Sequence, residues 1–214
     1  TAVGYGSLFA QNFTTATDSN NVAVGYLAGT AITTGTENTL IGALAGDALT
    51  DVDYNTAIGK SALSTDTLGS KSTALGAYAL QTQNFTTATD SHNTAIGNNA
   101  GGAVTTGTLN TLVGSLAGDA LTVGGSNVSL GYFSLTADTN GSKSVAVGTA
   151  ALGDQNFTTA TDAYNVAVGQ EAGRSVTTGD SNTIIGGLAG DALTTGSDNV
   201  AIGKDALTSD TLGS

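Results

Sequence analysis

The sequence contains no cysteine, proline, methionine or tryptophan. The absence of cysteine excludes disulfide bonds and thiolate metal ligands, although it does not identify the compartment. Charge is also scarce, because only 10% of the residues are charged, against about 25% in an average soluble domain. Low charge combined with 39% apolar residues distinguishes the chain from intrinsically disordered segments, which are charged and poor in apolar residues.

Basic residues are few, and long apolar runs are missing. The net charge is −12, and the five Lys and Arg residues are scattered along the chain. Nucleic acid is therefore not an expected partner, since phosphate binding needs clustered basic residues. No apolar run approaches the ~18 residues that span a bilayer, so membrane insertion of this segment is not expected. No signal peptide is visible and Thr1 lies within a repeated motif. We therefore interpret the chain as part of a longer protein.

What the sequence does have is glycine in a strict order. The pentapeptide NTAIG occurs at 55–59 and 93–97, and NVAVG occurs at 21–25 and 165–169. The closing glycines of these and related pentapeptides are Gly4, Gly25, Gly42, Gly59, Gly76, Gly97, Gly114, Gly131, Gly148, Gly169, Gly186 and Gly203. Their spacing runs 21, 17, 17, 17 and repeats, which defines twelve units. We number the units 1 to 12 in chain order, so that units 1, 5 and 9 are the long ones.

Four units form a superrepeat of 72 residues, and the chain 1–214 is a single array of the superrepeats 1–72, 73–144 and 145–214. Self-similarity at a fixed period predicts a stacked repeat architecture. A short unit has too few residues for two helices, whereas the alternating, β-branched pentapeptide predicts a short strand. We expect an all-β fold, a repetitive β-solenoid or parallel β-roll of about twelve coils of 17 or 21 residues. Each coil would hold two short strands and two turns.

Equivalent positions of the units show restricted residue types. The residue before the glycine is always aliphatic, as in Val24, Ile41 and Ile58, and we predict that this column forms the core. The third residue after the glycine is only Ala or Ser, which indicates a close approach of another backbone, and we predict burial between chains there. Asn opens most pentapeptides, where its side chain can bond to its own backbone or stack on the next coil. Thr at the eighth position of the short units suits a half-exposed surface.

The small number of aliphatic side chains per coil bears on the oligomeric state. Two or three such side chains bury little apolar surface, compared with the entropy lost in ordering the backbone of a whole unit. A single stack of coils would therefore bury too little apolar surface to be stable alone, and we predict that the protein associates with itself as a homotrimer.

The motif N-[TV]-A-[IV]-G, as at 55–59 and 199–203, resembles the head repeat of the trimeric autotransporter adhesins (YadA-like heads). The unit NVAVGYLAGTAITTGTE at 21–37 is similar to the NTAVG repeats of phage-type tail fibre proteins. The resemblance covers the whole chain and implies a trimeric parallel β-roll in an extracellular location. It also departs from the adhesin heads, because most units here are longer and every fourth unit is longer still.

Candidate catalytic or metal-binding residues are few. His92 is the only histidine, and no Ser-His-Asp arrangement is suggested, so no enzyme, catalytic residue or cofactor is predicted. Asp recurs in three columns: Asp18, Asp90 and Asp162; Asp47, Asp119 and Asp191; and Asp66, Asp138 and Asp210. Solvated turn residues and calcium ligands are both open interpretations, although no known calcium-loop motif occurs.

The four extra residues of the long units lie in the segment QNFTTATD, which we place in a turn. Its aromatic residues, Phe13, Phe85 and Phe157, either cover the core or form a repeated contact for a partner. The function we predict is a structural segment, shaft or head, of an extracellular fibre, either a phage-type tail fibre or a bacterial surface fibre. The alternatives are a cell-surface adhesin that binds a host-surface or matrix receptor through the inserted turns, and an ice-binding β-solenoid. For the last, we expect the long units to interrupt a flat lattice match.

Overall fold

A computed structural model describes residues 1–213 of the chain. These residues form sixteen short strands and no helix. The strands are β1 (Ala2–Val3), β2 (Val22–Val24), β3 (Thr39–Ile41), β4 (Thr56–Ile58), β5 (Gly69–Ser70), β6 (Thr73–Leu75), β7 (Thr89–Asp90), β8 (Thr94–Ile96), β9 (Thr111–Val113), β10 (Val128–Leu130), β11 (Gly141–Ser142), β12 (Val145–Val147), β13 (Thr161–Asp162), β14 (Val166–Val168), β15 (Thr183–Ile185) and β16 (Val200–Ile202).

Twelve of these strands, one from each pentapeptide, form one continuous parallel sheet. Its order is β1-β2-β3-β4-β6-β8-β9-β10-β12-β14-β15-β16. The chain is therefore a parallel β-solenoid of about twelve coils, as the repeat predicted. Thr56 of unit 4 pairs with Thr73 of unit 5, and Thr73 in turn pairs with Thr94 of unit 6. The sheet thus continues through a long unit without a shift of register, because the extra residues lie in the turn segment between two strands of the main sheet.

The predicted second strand of each coil is present only beside the long units. There β5 pairs with β7, and β11 pairs with β13. In the other units described, the return path of the chain consists of turns and bends. Its backbone groups still bond to the next coil, as when the amide of Thr33 donates to the carbonyl of Thr50 at 3.1 Å. The Thr side chain adds a second bond of this kind, since Thr50 Oγ1 donates to the carbonyl of Thr67 at 2.9 Å.

The closing glycine of each pentapeptide turns the chain at the end of the strand. Gly169, for example, has φ +142°, and a Cβ atom there would lie 2.5 Å from the carbonyl oxygen of Gly186 in the next coil. Only glycine combines this backbone angle with the absence of a side chain. The glycine column therefore allows successive coils to stack closely at the corner of the solenoid.

The core lies at different positions from those predicted. The middle residue of each strand is buried, as for Ala23, Leu40 and Leu112 at 0% exposure. The residue before the glycine points the other way, and Ile41 and Leu75 are 37% and 41% exposed. The prediction that this aliphatic column forms the core was wrong, because successive residues of a strand alternate between its two faces.

The column of small residues also lies elsewhere than expected. Ala28, Ala45 and their equivalents are buried inside their own coil at 0% exposure. They therefore cannot supply burial between chains, and that prediction was wrong. Small side chains are needed there because the coil is narrow and its two walls approach each other.

The four-unit superrepeat arises from an exchange of volume within the core. Unit 3 carries Leu40 in mid-strand, where units 2 and 4 carry Ala. A Cβ atom on Gly29 would lie 2.6 Å from Leu40 Cδ1, and one on Gly46 would lie 2.8 Å from Leu40 Cδ2. Unit 4 instead places Leu63 at the position of Gly46. Large and small residues therefore alternate between columns, which keeps the interior filled at close packing.

Candidate functional site: the outer sheet face and the inserted turns

The outer sheet face consists of the first and third side chains of the strands in the twelve-stranded sheet. The third positions are aliphatic throughout the sheet and about one-third exposed in its middle, as Ile96 at 36%, Leu130 at 37% and Ile185 at 38% show. The first positions, from β2 onward, are half-buried Thr or Val, except for the exposed Val200 at the last strand. No strand of this sheet contains a charged residue. The result is an uncharged and largely apolar surface along the whole sheet.

An apolar surface of this length is unusual on a monomeric soluble protein, where single exposed apolar residues are common but contiguous patches mark interaction sites. This face was not predicted from the sequence, because its aliphatic column was assigned to the core. The signal that could have found it is the alternation within the pentapeptide. The middle residue is mostly Ala, which suits the narrow interior, while the larger β-branched residues flank it.

Behind the sheet, buried asparagines connect the coils. Asn38 Oδ1 accepts the backbone N–H of Asn55 at 3.0 Å, and Asn38 Nδ2 donates to the carbonyl of Val52 at 2.7 Å. Of the two alternatives given for Asn, both occur here, because Asn38 Nδ2 also donates to the carbonyl of Thr36 in its own coil at 3.0 Å. The first two ladders end at a serine, since Ser72 and Ser144 each donate their N–H to the preceding asparagine at 2.9 Å. These bonds hold the strands in register and so keep the side-chain columns of the outer sheet face aligned.

A buried polar cluster stands where each of units 5 and 9 meets the unit before it. Asp66 of unit 4 and Gln83 of unit 5 are both fully buried, and Gln83 Nε2 donates to Asp66 Oδ2 at 2.6 Å. Asp66 Oδ1 accepts the backbone N–H of Gly69 at 3.0 Å and of Phe85 at 3.2 Å. Gln83 Oε1 accepts from Asn93 Nδ2 at 2.8 Å. The carboxylate is thus satisfied by three donors, and it anchors the start of the inserted turn.

The same cluster recurs at the start of the third superrepeat, where Gln155 Nε2 donates to Asp138 Oδ2 at 2.6 Å. Burial raises the pKa of Asp138, and its hydrogen bonds to Gln155 and to backbone amides oppose that rise. The sequence analysis did not single out this pair. The signal that could have predicted the pair lies at the seventh residue after the closing glycine. In the four successive units of every superrepeat this residue is Gln, an aliphatic residue, another aliphatic residue and Asp.

The inserted turns hold the predicted aromatic residues. Phe85 and Phe157 are 5% and 6% exposed, so their rings pack against their own chain, while Phe13 in unit 1 is half-buried. The following residues, 86–88 and 158–160, are exposed. Any surface that an inserted turn offers to a partner therefore consists mainly of Thr and Ala. A partner contact through the three rings remains a prediction.

The remaining candidates do not come together in one place. His92 is exposed, with φ 50°, in the irregular segment between β7 and β8. Within residues 1–213, no three His, Cys, Asp or Glu side chains are placed to hold a metal ion. Asp90 and Asp162 instead form ion pairs with Lys71 and Lys143 on the surface. In the same residues, no helix has the length and apolar character needed to cross a bilayer.

Comparison with known proteins gives no match for this chain. No protein-family model matches it, and neither a curated protein nor a solved structure shows significant similarity to it. A function can therefore be inferred only from the geometry of the solenoid itself.

Proposed function

We propose that this chain is a structural segment, the shaft or head, of an extracellular fibre, of the phage-type tail fibre or bacterial surface fibre kind. The observation that carries the proposal is the outer sheet face, which is uncharged and largely apolar along all twelve strands. At about 4.8 Å per strand, the sheet extends for roughly 50 Å. Backbone ladders along the whole length give a rod that resists bending and local unravelling.

The proposed assembly is a homotrimer in which each chain contributes its twelve coils, short and long alike. Three copies around a common axis would each turn the outer sheet face inward. The aliphatic column would then leave water, and each buried CH₂ group contributes about 0.8 kcal/mol. This arrangement places the apolar surface between chains at the third strand position, rather than at the small Ala column of the core.

The experiment is a measurement of solution mass by sedimentation equilibrium at micromolar concentration. We expect three times the chain mass of 20.8 kDa. The triple variant Ile58→Lys, Val113→Lys and Ile185→Lys places charges on the outer sheet face and should give the single-chain mass. The matched control Ala43→Lys, Thr106→Lys and Thr178→Lys, at exposed positions off this face, should remain trimeric. A wild-type mass of one chain would contradict the trimer.

A second candidate function is ice binding, which the same face favours. Its mixed column of Thr and Val and its aliphatic column repeat at the strand spacing, and the register continues through the long units. The interruption expected at these units is therefore absent from the sheet. The test is thermal hysteresis of the wild-type chain and of the Lys triple variant. Hysteresis that the triple variant loses would support ice binding, and its absence in the wild type would exclude it.

A further inference from the structure

One corner of the long units differs between superrepeats. In the second superrepeat this corner is filled by the chain itself, because Tyr78 occupies it in unit 5. Lys60 Nζ of unit 4 lies 5.4 Å from the centroid of the Tyr78 ring, within reach of a cation–π contact. Gln81 stands three residues further along the same unit.

In the third superrepeat the same corner is emptied. Ala150 replaces Tyr78 and Gly153 replaces Gln81, while the preceding unit 8 carries Tyr132 where unit 4 carries Lys60. A groove of about 420 Å³ opens as a result. We call it the aromatic groove; Tyr132 and Phe133 form its wall, Ala150 and Gly153 its floor, and Asp154 and Arg174 part of its rim. Its volume lies within the range of small-molecule sites, about 300–1,000 Å³.

The wall of the aromatic groove presents ring surface. The ring centroids of Tyr132 and Phe133 lie 4.3 Å apart, and the ring planes meet at 84°. Tyr132 is 52% exposed, so a large part of its ring is open to a ligand. The face of an aromatic ring is electron-rich and attracts the weakly positive edge of C–H groups. The wall therefore suits a ligand with one apolar C–H face.

The rim of the groove presents hydrogen-bonding groups of both kinds. Asp154 is exposed and supplies acceptor oxygens. Arg174 bonds to Glu171 through one nitrogen at 3.1 Å, and a guanidinium group has five N–H donors. Because Arg174 is already paired with a carboxylate and the chain carries a net charge of −12, an anionic ligand is disfavoured. A neutral ligand with hydroxyl groups around its edge fits both the rim and the wall.

We propose that the aromatic groove binds one ring of a neutral saccharide. The C–H face of the sugar would lie on the exposed ring of Tyr132, beside Phe133, and its hydroxyl groups would bond to Asp154 and Arg174. This inference does not depend on the proposed fibre function, since it concerns one corner of units 8 to 10 rather than the outer sheet face.

The test is saturation-transfer NMR with the methyl glycosides of glucose, galactose, mannose and N-acetylglucosamine. We expect at least one to bind with a dissociation constant in the millimolar range, corresponding to about −4 kcal/mol. The variant Ala150→Tyr with Gly153→Gln restores the residues of the second superrepeat. Ala150 has φ 55° and Tyr78 has φ 62°, so the same backbone already accepts tyrosine. This variant should fold and should bind at least tenfold more weakly.

Two further variants complete the test. Tyr132→Ala removes an exposed ring and should also weaken binding at least tenfold. Tyr54→Ala removes a similarly exposed tyrosine on another corner and should bind like the wild type. If none of the four glycosides binds the wild-type chain, the proposal is wrong. It is equally wrong if the filled variant and Tyr132→Ala bind as the wild type does.

Discussion

The side chain of Asn93 bonds to the backbone of Asn110 in the next coil, with Asn93 Oδ1 accepting the N–H of Asn110 at 2.9 Å. Its Nδ2 atom donates to the carbonyl of Gly107 at 2.7 Å, on the turn that precedes Asn110. One buried side chain thus satisfies two backbone groups of the neighbouring coil. Repeated along the array, this geometry fixes the height and rotation of each coil relative to the next.

The first prediction concerns this ladder. Asn110→Ala removes the bonds to the carbonyl of Gly124 and to the N–H of Asn127 and leaves both groups buried without a partner. Each such group costs about 1–3 kcal/mol, so the free energy of unfolding in urea should fall by roughly 2–4 kcal/mol. Asn98→Ala, at an exposed asparagine, is the control and should change it by less than about 0.5 kcal/mol. Equal effects of the two substitutions would refute a structural role for the ladder.

The second prediction separates two glycines of the same region. Gly169→Ala would place a Cβ atom 2.5 Å from the carbonyl oxygen of Gly186, at φ +142°. Strained backbone of this kind costs about 1–3 kcal/mol before the clash is counted, so we expect a large loss of thermal stability or no folding. Gly187→Ala meets nothing nearer than 4.0 Å and should leave the melting temperature almost unchanged. A fully stable Gly169→Ala protein would show that the corner can relax.

The third prediction concerns pH. Since burial raises the pKa of Asp138 above its usual 3.8, the folded chain binds this proton more tightly than the unfolded chain. The stabilisation from protonation is therefore complete below pH 3.8 and is lost as the pH rises through the folded pKa. Relative to Asp138→Asn, which does not titrate, the wild-type chain should gain stability as the pH falls from neutrality toward the unfolded pKa. Urea unfolding at several pH values measures the difference, and a difference that stays constant or shrinks would contradict it.

The fourth prediction is a stabilising substitution. Leu109 is 56% exposed and has φ 62°, a left-handed conformation that costs most L-residues about 1–2 kcal/mol. Asparagine adopts it more readily and already occupies the equivalent position as Asn20, with φ 51°. Leu109→Asn should therefore raise the free energy of unfolding by about 0.5–1 kcal/mol. Thr106→Asn, at an exposed site without positive φ, should have no such effect, and a destabilised Leu109→Asn would show that the leucine makes compensating contacts.

The repeat spacing was sufficient to predict the fold class and the position of each strand in the main sheet. The recurring glycine defines where a coil closes, and the short β-branched segment before it has few alternatives to a strand. The ladder of asparagines was also predictable, because a polar side chain that recurs in successive coils has an identical neighbour above or below.

The orientation of the strands could not be obtained in the same way. Both Ala57 and Ile58 are apolar, and hydrophobicity alone favours the larger residue for the interior. The narrow coil reverses this choice, since Ala57 is fully buried while Ile58 is partly exposed. The aromatic groove could not be predicted from the sequence either, because it results from the small size of Ala150 and Gly153.

The pairing of Asp66 with Gln83 has a consequence for how such an array can change its length. Inserting a single short unit between units 4 and 5 would separate the Asp66 carboxylate from the Gln83 amide. The buried carboxylate would then lack its hydrogen-bond donor. Duplicating a whole superrepeat would restore every pair. Between units 4 and 5, and between units 8 and 9, where the pair recurs, the array should therefore grow only by whole superrepeats.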